Sequence, residues 1–226
     1  MLPLQVRGDW AGAPSARLTE FDLVAVLAYS PSKQGVDAGL LVGIDAVGVK
    51  ATTNFEDLVA SHAECVIYTA RDFGDWRADG QILALLQAGK NVVTPLPYHY
   101  LKTRGPQIEA KFRDAAVQGG ATLHGSGITP GFYNERLAIL MTGLTNDVQQ
   151  IKFQEFFNAE PLAGALETLQ LFGFGAPLAQ VEANPLAGVM AENYLKQPIL
   201  FYADQLGIEI TIALAGMVPV MPHGRA

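Results

Sequence analysis

The first part of the chain contains four short apolar segments, at 21–29, 65–70, 91–94 and 121–124. Each is followed by a stretch whose apolar residues recur at helical spacing, and most of these stretches end at a glycine. Apolar runs that alternate with helices in this way predict the buried strands of a parallel sheet. The predicted fold class is therefore α/β, with helices on both faces of a parallel sheet.

The pattern changes at residue 148. From 148 to 156 polar and apolar residues alternate, which is typical of an antiparallel strand with one face in water. Helices are predicted at 166–174 and 185–206, the second broken near Pro198, followed by a strand at 208–212. We therefore expect two domains, the second of them a partial mixed α+β domain. Their predicted bounds are 1–147 and 148–226.

A glycine-bearing loop follows the fourth apolar segment. Thr129 is a suitable N-cap and Pro130 a suitable first helical residue, which predicts a helix from that point. Gly125, Gly127 and Gly131 would let the backbone approach a small ligand. The spacing G-x-G-x-x-x-G is one residue longer than a dinucleotide-binding fingerprint, so a tight turn with no ligand is the alternative.

Composition limits the class of partner. The chain has 226 residues, half of them hydrophobic, and a formal net charge of −7 with only 15 Lys and Arg. This balance argues against a nucleic-acid surface or a basic membrane patch and favours a small-molecule partner. No apolar run reaches the ~18 residues of a membrane span, and the start lacks the pattern of a signal peptide. We expect a cytoplasmic protein with no nucleic-acid or membrane partner.

The sequence predicts no metal site. Cys65 is the single cysteine, and the four histidines at 62, 99, 124 and 223 show no metal-ligand spacing. Because free cysteines are among the most buried residues, we expect Cys65 to be a buried structural thiol.

The carboxyl ends of parallel strands gather at one edge of the sheet, where α/β proteins bind ligands. In a Rossmann-like domain the turn after the second strand meets the adenosine ribose, and a carboxylate there selects NAD. Here that turn offers Tyr29, Ser30, Ser32 and Lys33. These hydroxyls and the cation suit the 2′-phosphate of NADP, and an ordinary polar turn is the alternative.

The turn after the third segment carries three hydrogen-bonding rings, Tyr98, His99 and Tyr100. His99 is the predicted proton donor because an unperturbed histidine titrates near neutrality, although an exposed loop histidine is an equal alternative. Tyr98 and Tyr100 are lesser candidates. His124 could bind substrate, with a core histidine as the alternative, and Glu155 is expected on a solvated face.

The segments 29–39, 89–94, 119–137 and 172–175 resemble the dihydrodipicolinate reductase-like oxidoreductases, a group that includes 2,4-diaminopentanoate dehydrogenase and amine dehydrogenases. Of these, 119–137 is the most specific. The resemblance implies an N-terminal Rossmann-like NAD(P)-binding domain at 1–147, and a substrate domain at 148–226 that often dimerises. It also implies hydride transfer on an imine, an amine or a related small substrate.

The resemblance implies particular residues as well. The cofactor-binding residues would be Tyr29, Ser30 and Lys33 at the adenosine end, with Thr69, Ala70, Arg71 and Thr94 nearer the nicotinamide. Thr129, Pro130, Gly131 and Phe132 would help to wall the substrate pocket. Tyr100 is predicted as a further substrate-binding residue.

The chain also departs from that family. No strand with a G-x-G-x-x-G turn is recognisable in residues 1–20, both ends look shortened, and the turn 95–100 lacks the glutamate that amine dehydrogenases place there. Two functions follow: an NAD(P)H-dependent oxidoreductase, or a non-catalytic paralogue that keeps the scaffold for small-ligand binding or dimerisation. NADP is favoured slightly over NAD, and a homodimer is expected. The substrate, whether amine, keto acid or cyclic imine, is left open.

Overall fold

The computed structural model describes residues 21–70, 72, 75–154 and 174–211. The chain divides into two compact units, each formed by several segments. The described residues of the first unit are 21–70, 72, 77–96 and 107–124. Those of the second are 75–76, 97–106, 125–154 and 174–211. The predicted boundary at residue 148 stays a prediction.

Strands and helices alternate from residue 26 to residue 125. In chain order they are β1 Val26–Leu27, α1 Ala38–Leu41, β2 Ala51–Thr52, α2 Phe55–Ala60, β3 Cys65–Ile67, α3 Asp79–Gln87, β4 Asn91–Thr94, α4 Pro106–Gly119 and β5 Leu123–Gly125. Strand β1 pairs in parallel with β2, and β3 pairs in parallel with β4. The predicted α/β class with parallel strands is confirmed.

Within the described residues the strands form two sheets, which differs from the single sheet that the pattern predicted. One sheet is β1-β2 and the other has the order β3-β4-β5. The difference arises because the first apolar segment pairs with 51–52, not with the later strands: the Ala28 amide donates to the Thr52 carbonyl at 2.8 Å. The partner strand, Ala51–Thr52, lies outside the four apolar segments of the sequence.

The first unit has one apolar cluster at β1, α1 and β2, and another where α3 packs on the second sheet. Ile82, Leu85 and Leu86 of α3 are fully buried, as is Val92 of β4. Side chains at this spacing form the apolar stripe that a helix buries against a sheet. Gly89 ends the helix region with a φ of +77°, a conformation that only glycine adopts at little cost.

Two polar residues cap the short helices of this unit. Asn54 accepts a hydrogen bond from the Glu56 amide at 3.3 Å and so begins α2. The Asp37 carboxylate accepts from the amides of Gly39, Val47 and Gly48 at 2.8, 2.9 and 2.8 Å. These bonds lower the pKa of Asp37 and organise the loop between α1 and β2.

The burial predictions for Cys65 and His124 are wrong. Strand β3 is exposed, buried and exposed at its three positions, so only Val66 points inward and the Cys65 thiol lies at the surface. His124 occupies the exposed middle position of β5 rather than the core. Because side chains alternate between the two faces of a strand, Cys65 lies on the face opposite Val66, and His124 on the face opposite the half-buried Leu123.

The second unit is mainly helical in its described part. It contains a 3₁₀ turn Leu101–Arg104, a π-helical turn Tyr133–Leu137, and the helices α5 Ala138–Thr142, α6 Leu178–Glu182 and α7 Pro185–Leu206. Helix α7 continues through Pro198, so the predicted break is wrong. Pro198 and Gln197 before it are both buried, and this packing outweighs the hydrogen bond that proline removes.

Three other sequence predictions fail in this unit. Residues 148–154 and 208–211 form no strand; the remaining positions of the two predicted strands, and 166–173 of a predicted helix, lie outside the described residues. Thr129 does not cap a helix, because Gly131 adopts a φ of +130° and helical structure begins only at Tyr133. The helices of both units share one general property. Within the described ranges, no helix combines the length and apolarity needed to cross a bilayer.

Candidate functional site

The turn that carries the three predicted rings is fastened to α7 by one buried amide. Gln197 is 1 % exposed, and its Oε1 accepts a hydrogen bond from the Tyr100 amide at 2.7 Å. Its Nε2 donates to the carbonyl oxygens of Pro97 and Asn193, each at 2.7 Å. Both ends of the Pro97–Tyr100 turn are therefore fixed, and His99 lies between them.

The two tyrosines of the turn point into separate aromatic contacts. The Tyr98 ring is buried and meets the Trp76 ring edge to face at 5.9 Å. The Tyr100 ring meets Phe201 of α7 edge to face at 5.7 Å. Burial and a hydrogen bond with Asp204 raise the pKa of Tyr100. These contacts fix the direction of the turn and leave His99 as its group nearest a small cavity.

That cavity has a volume of about 80 Å³, which is room for roughly five water-sized groups. Its described lining contains one imidazole, one carboxylate, one guanidinium, one aromatic ring and two glycines. These residues are His99, Glu135, Arg136, Phe201, Gly125 and Gly131. A concave site that combines an apolar wall with a few converging polar groups can hold a small molecule.

Gly125, the last residue of β5, is required for His99 to occupy this position. A Cβ at residue 125 would lie 2.6 Å from the His99 Cα, 2.7 Å from its backbone nitrogen and 2.9 Å from its Nδ1. Ordinary contacts between such atoms are about 3.5 Å or longer. The missing side chain of Gly125 therefore creates the space in which His99 packs.

The loop after β5 is closed by the first residues of the helical turn. Glu135 Oε2 accepts a hydrogen bond from the Gly131 amide at 2.6 Å, and the Arg136 guanidinium donates to the Gly131 carbonyl. A Cβ at Gly131 would lie 2.5 Å from the Gly127 nitrogen, so this close approach also needs glycine. The loop thus holds the Glu135 carboxyl at the cavity by a backbone bond.

Glu135 is electrostatically unusual. Glu135 is 6 % exposed, and within the described part of the chain its Oε1 has no hydrogen-bond partner. Burial raises the pKa of Glu135, while the Gly131 amide and the Arg136 charge oppose that rise. Burial and, to a smaller extent, the charge of Glu135 raise the pKa of Tyr202 to about 12. The cavity therefore contains a carboxyl group that can gain or lose a proton at higher pH than a surface glutamate.

The structure brings together some of the predicted substrate residues. His99 and Gly131 line the cavity, and Tyr100 packs on Phe201, which is one of its walls. Tyr98 lies outside the described lining. So do Thr129, which has a buried hydroxyl, Pro130, which is buried, and Phe132, which is 46 % exposed.

The predicted cofactor residues lie at strand ends of the first unit. Tyr29 after β1 and Tyr68 after β3 both donate a hydrogen bond to Gln81 Oε1, the second at 2.6 Å. The Thr94 hydroxyl at the end of β4 donates to the Tyr68 carbonyl at 2.7 Å. Gln81 therefore joins the ends of β1 and β3, and Thr94 joins β4 to β3.

The remaining cofactor predictions differ in accessibility. Ser30 and Ser32 are exposed with hydroxyls 2.9 Å apart, and Lys33 ends the short 3₁₀ turn Pro31–Lys33. Thr69 is half-buried and Ala70 is buried. Arg71 lies outside the described residues. Hydroxyls and a lysine in one exposed turn match the chemistry of a phosphate group.

Sequence reasoning missed Glu135, Phe201, Gln197 and Gln81. One signal existed for Glu135: it and Arg136 are the only charged residues between 125 and 145. A lone acid in an apolar helical pattern is a marker of a buried functional group. Nothing in the local sequence marks Gln197 or Gln81, because their roles depend on contacts with distant segments. Among the described residues, no group of three or more His, Cys, Asp or Glu could hold a metal ion.

The fold and the site define a class, that of α/β proteins with parallel strands and a small cavity lined by polar groups. No protein-family model matches the chain. It is 34 % identical over 164 residues to an amine dehydrogenase from Streptomyces virginiae, covering 69 % of this chain and 44 % of that protein. It is 23 % identical over 169 residues to the 2,4-diaminopentanoate dehydrogenase of Acetoanaerobium sticklandii, covering 74 % and 47 %.

The predicted resemblance is therefore confirmed: the chain is similar to an amine dehydrogenase and to a 2,4-diaminopentanoate dehydrogenase. It also shares its fold with the solved amine dehydrogenase from Mycobacterium smegmatis. The TM-score is 0.66 at 19 % identity, covering 84 % of this chain and 56 % of that one. The chain spans slightly less than half the length of the two sequence relatives.

Proposed function

We propose that this protein is an NAD(P)H-dependent oxidoreductase that transfers hydride between a nicotinamide and the carbon of a small amine or imine. The observation that carries the proposal is the 34 % identity to an amine dehydrogenase, because the matched region covers 69 % of this chain. The cavity beside His99 supports it, since it offers a proton-carrying group at a site of substrate size.

The residues at the strand ends fit a phosphorylated nicotinamide cofactor. Ser30, Ser32 and Lys33 would hold the 2′-phosphate of NADP, and Tyr29 the adenosine end, because hydroxyls and a cation form charge-assisted hydrogen bonds with phosphate. Thr69, Ala70, Arg71 and Thr94 are the proposed residues nearer the nicotinamide. When bound, the cofactor supplies the accepting or donating carbon for hydride. We propose NADP ahead of NAD.

The chain itself would orient the substrate and move a proton. His99 is the proposed proton carrier: as the neutral imidazole it takes one proton from an alkylammonium nitrogen, leaving the uncharged amine that can lose hydride. In the reverse direction it returns that proton. The Phe201 ring excludes water from one side of the cavity. Tyr98 is the second proposed catalytic residue. Tyr100 and the loop Thr129–Phe132 are proposed to bind substrate.

A thermal-unfolding series with nucleotides tests the cofactor half of the proposal. At about 100 times its Kd, a ligand that binds only the folded state stabilises it by about 2.7 kcal/mol, so NADPH should raise the unfolding temperature clearly. NADH should give a smaller rise at equal concentration. No shift with either nucleotide would reject the proposal in favour of a non-catalytic scaffold. A larger shift with NADH would reject the assignment of Ser30 and Lys33.

His99→Asn tests the proton carrier. The amide fills a similar volume but does not titrate near neutrality, so turnover of an amine should fall by about 10²-fold or more. Unchanged turnover would remove His99 from the mechanism. A cytoplasmic location is also part of the proposal, as is the homodimer that the family resemblance implies. Light scattering after gel filtration tests the homodimer.

A further inference from the structure

We infer that Glu135 binds the positively charged nitrogen of the substrate, so that the cavity selects a short alkylammonium or iminium cation. This inference rests on the proposed function for the identity of the substrate class. The binding claim itself concerns only the cavity in the second unit and can be tested with no cofactor present.

The first support is the unequal use of the two carboxyl oxygens. Oε2 is held by the Gly131 amide at 2.6 Å, which fixes the carboxyl plane. Oε1 is buried and, among the described residues, receives no hydrogen bond. A buried carboxylate oxygen with no donor is costly, because it has lost its water without gaining a replacement. Because Glu135 is a residue of the cavity lining, this oxygen is an unfilled acceptor in a side chain that borders the cavity.

The second support is the chemistry that would fill this acceptor. The best donor for a desolvated carboxylate is a cationic N–H group, since charge-assisted hydrogen bonds are about twice as strong as neutral ones. The Coulomb attraction is also stronger away from bulk water. An ammonium or iminium group supplies both the donor and the charge. A neutral alcohol supplies only a weaker donor, and an anion is repelled by Glu135.

Arg136 is the other charged side chain of the lining, and it suggests the alternative that the cavity binds an anion. Its guanidinium donates to the Gly131 carbonyl and belongs to an exposed residue, so it lies at the solvent side of the lining. If Arg136 dominated the cavity, a small carboxylate would bind in place of an amine. The buried position of Glu135 favours the amine, because screening by water weakens an exposed charge more than a buried one.

The size of the cavity limits the substrate further. A volume of about 80 Å³ accommodates only a few heavy atoms, and the Phe201 ring forms an apolar wall. A short alkyl chain with a terminal or near-terminal nitrogen suits this combination. Propylammonium is therefore a suitable probe, with 1-propanol as the neutral probe and propionate as the anionic one.

The experiment measures binding of these three probes to the cofactor-free protein by NMR titration at neutral pH. Wild type should bind propylammonium in preference to the other two. Glu135→Gln keeps a carbonyl oxygen for the Gly131 amide but removes the charge, so its affinity for propylammonium should fall roughly tenfold or more. Glu135→Asp keeps the charge and should retain part of the affinity.

The matched control is Glu192→Gln, the same substitution in the second unit. Glu192 is exposed and pairs with Lys196 at 2.9 Å, outside the cavity lining. It should leave the affinity unchanged. If Glu135→Gln fails to fold, titration of wild type against pH replaces it: propylammonium affinity should fall as the carboxyl becomes protonated, and a flat profile would overturn the inference.

Three results would overturn the inference. They are equal affinity of wild type and Glu135→Gln for propylammonium, preferred binding of propionate, and no binding of propylammonium to wild type. Nucleotide binding is measured separately, so the two proposals can fail independently. Amine binding without a rise in unfolding temperature on adding nucleotide would reject the proposed function alone. A rise in unfolding temperature with nucleotide, but no amine binding, would reject the role of Glu135 alone.

Discussion

Gly125→Ala should destabilise the protein and displace His99. The new Cβ would lie 2.6 Å from the His99 Cα and 2.7 Å from its backbone nitrogen. To restore an ordinary contact distance, the backbone of residue 125 or of His99 must shift by roughly 1 Å. The atoms struck are backbone atoms, so no side-chain rotation can remove the overlap. The neighbouring Pro97 carbonyl and Tyr100 amide are both bonded to Gln197, which resists the shift.

The magnitude follows from the cost of overpacking, which is about 1–3 kcal/mol. For a chain of this length each kcal/mol lowers the unfolding temperature by about 2–4 °C, so a fall of roughly 2–12 °C is expected. Circular dichroism during heating measures it. Gly188→Ala is the control, because Gly188 lies inside α7 and a Cβ there meets nothing within 4 Å. That control should stabilise by about 0.5–1 kcal/mol.

Turnover gives a second readout for Gly125→Ala. If His99 carries the proton, the displaced ring should lower kcat even where the variant is fully folded, since small misplacements of a catalytic group are costly. A Gly125→Ala protein as stable as wild type, with unchanged His99 chemical shifts, would refute the packing argument. A displaced ring with unchanged kcat would refute the role of His99.

Three further predictions concern single side chains. Burial raises the pKa of Glu135 above its ordinary 4.5, so just above pH 4.5 the folded state binds more protons than the unfolded state. The free energy of unfolding should therefore decrease as the pH rises through this range. In urea unfolding, Glu135→Gln should show a smaller decrease over the same range. Gln197→Leu should cost about 2–4 kcal/mol in urea unfolding, because it leaves the Tyr100 amide and the Pro97 carbonyl unsatisfied; a cost below 1 kcal/mol would contradict the role of that amide. Asn54→Ala should cost about 1 kcal/mol of stability by removing the α2 cap, and an unchanged unfolding midpoint would show that the cap is dispensable.

Local patterns predicted the elements that depend on local chemistry. Strand β4 has the predicted bounds Asn91–Thr94. Its two valines are adjacent, and Gly89 and Pro95 bound the segment, so the prediction depended little on distant residues. Helix α7 was also predicted, but its continuation through Pro198 depends on burial that the sequence does not display.

The site was predictable only in part. His99 could be chosen as a candidate because the sequence alone shows a histidine between two tyrosines just after a predicted strand. Its packing against Gly125 brings together residues 26 positions apart, and its anchor Gln197 is almost a hundred positions away. The failure of Thr129 as a cap has a local cause, the positive φ of Gly131, which residue type permits but does not require.

Isotope transfer decides whether the protein performs hydride chemistry on amines. Wild type would be incubated with oxidised NADP and propylammonium deuterated at the carbon that bears nitrogen, and the nicotinamide product analysed by mass spectrometry. The proposed function predicts deuterium on the reduced nicotinamide, with the label reduced in Glu135→Gln and retained in Glu192→Gln. Formation of no reduced nicotinamide across a series of short amines, with NAD as well as NADP, would contradict it.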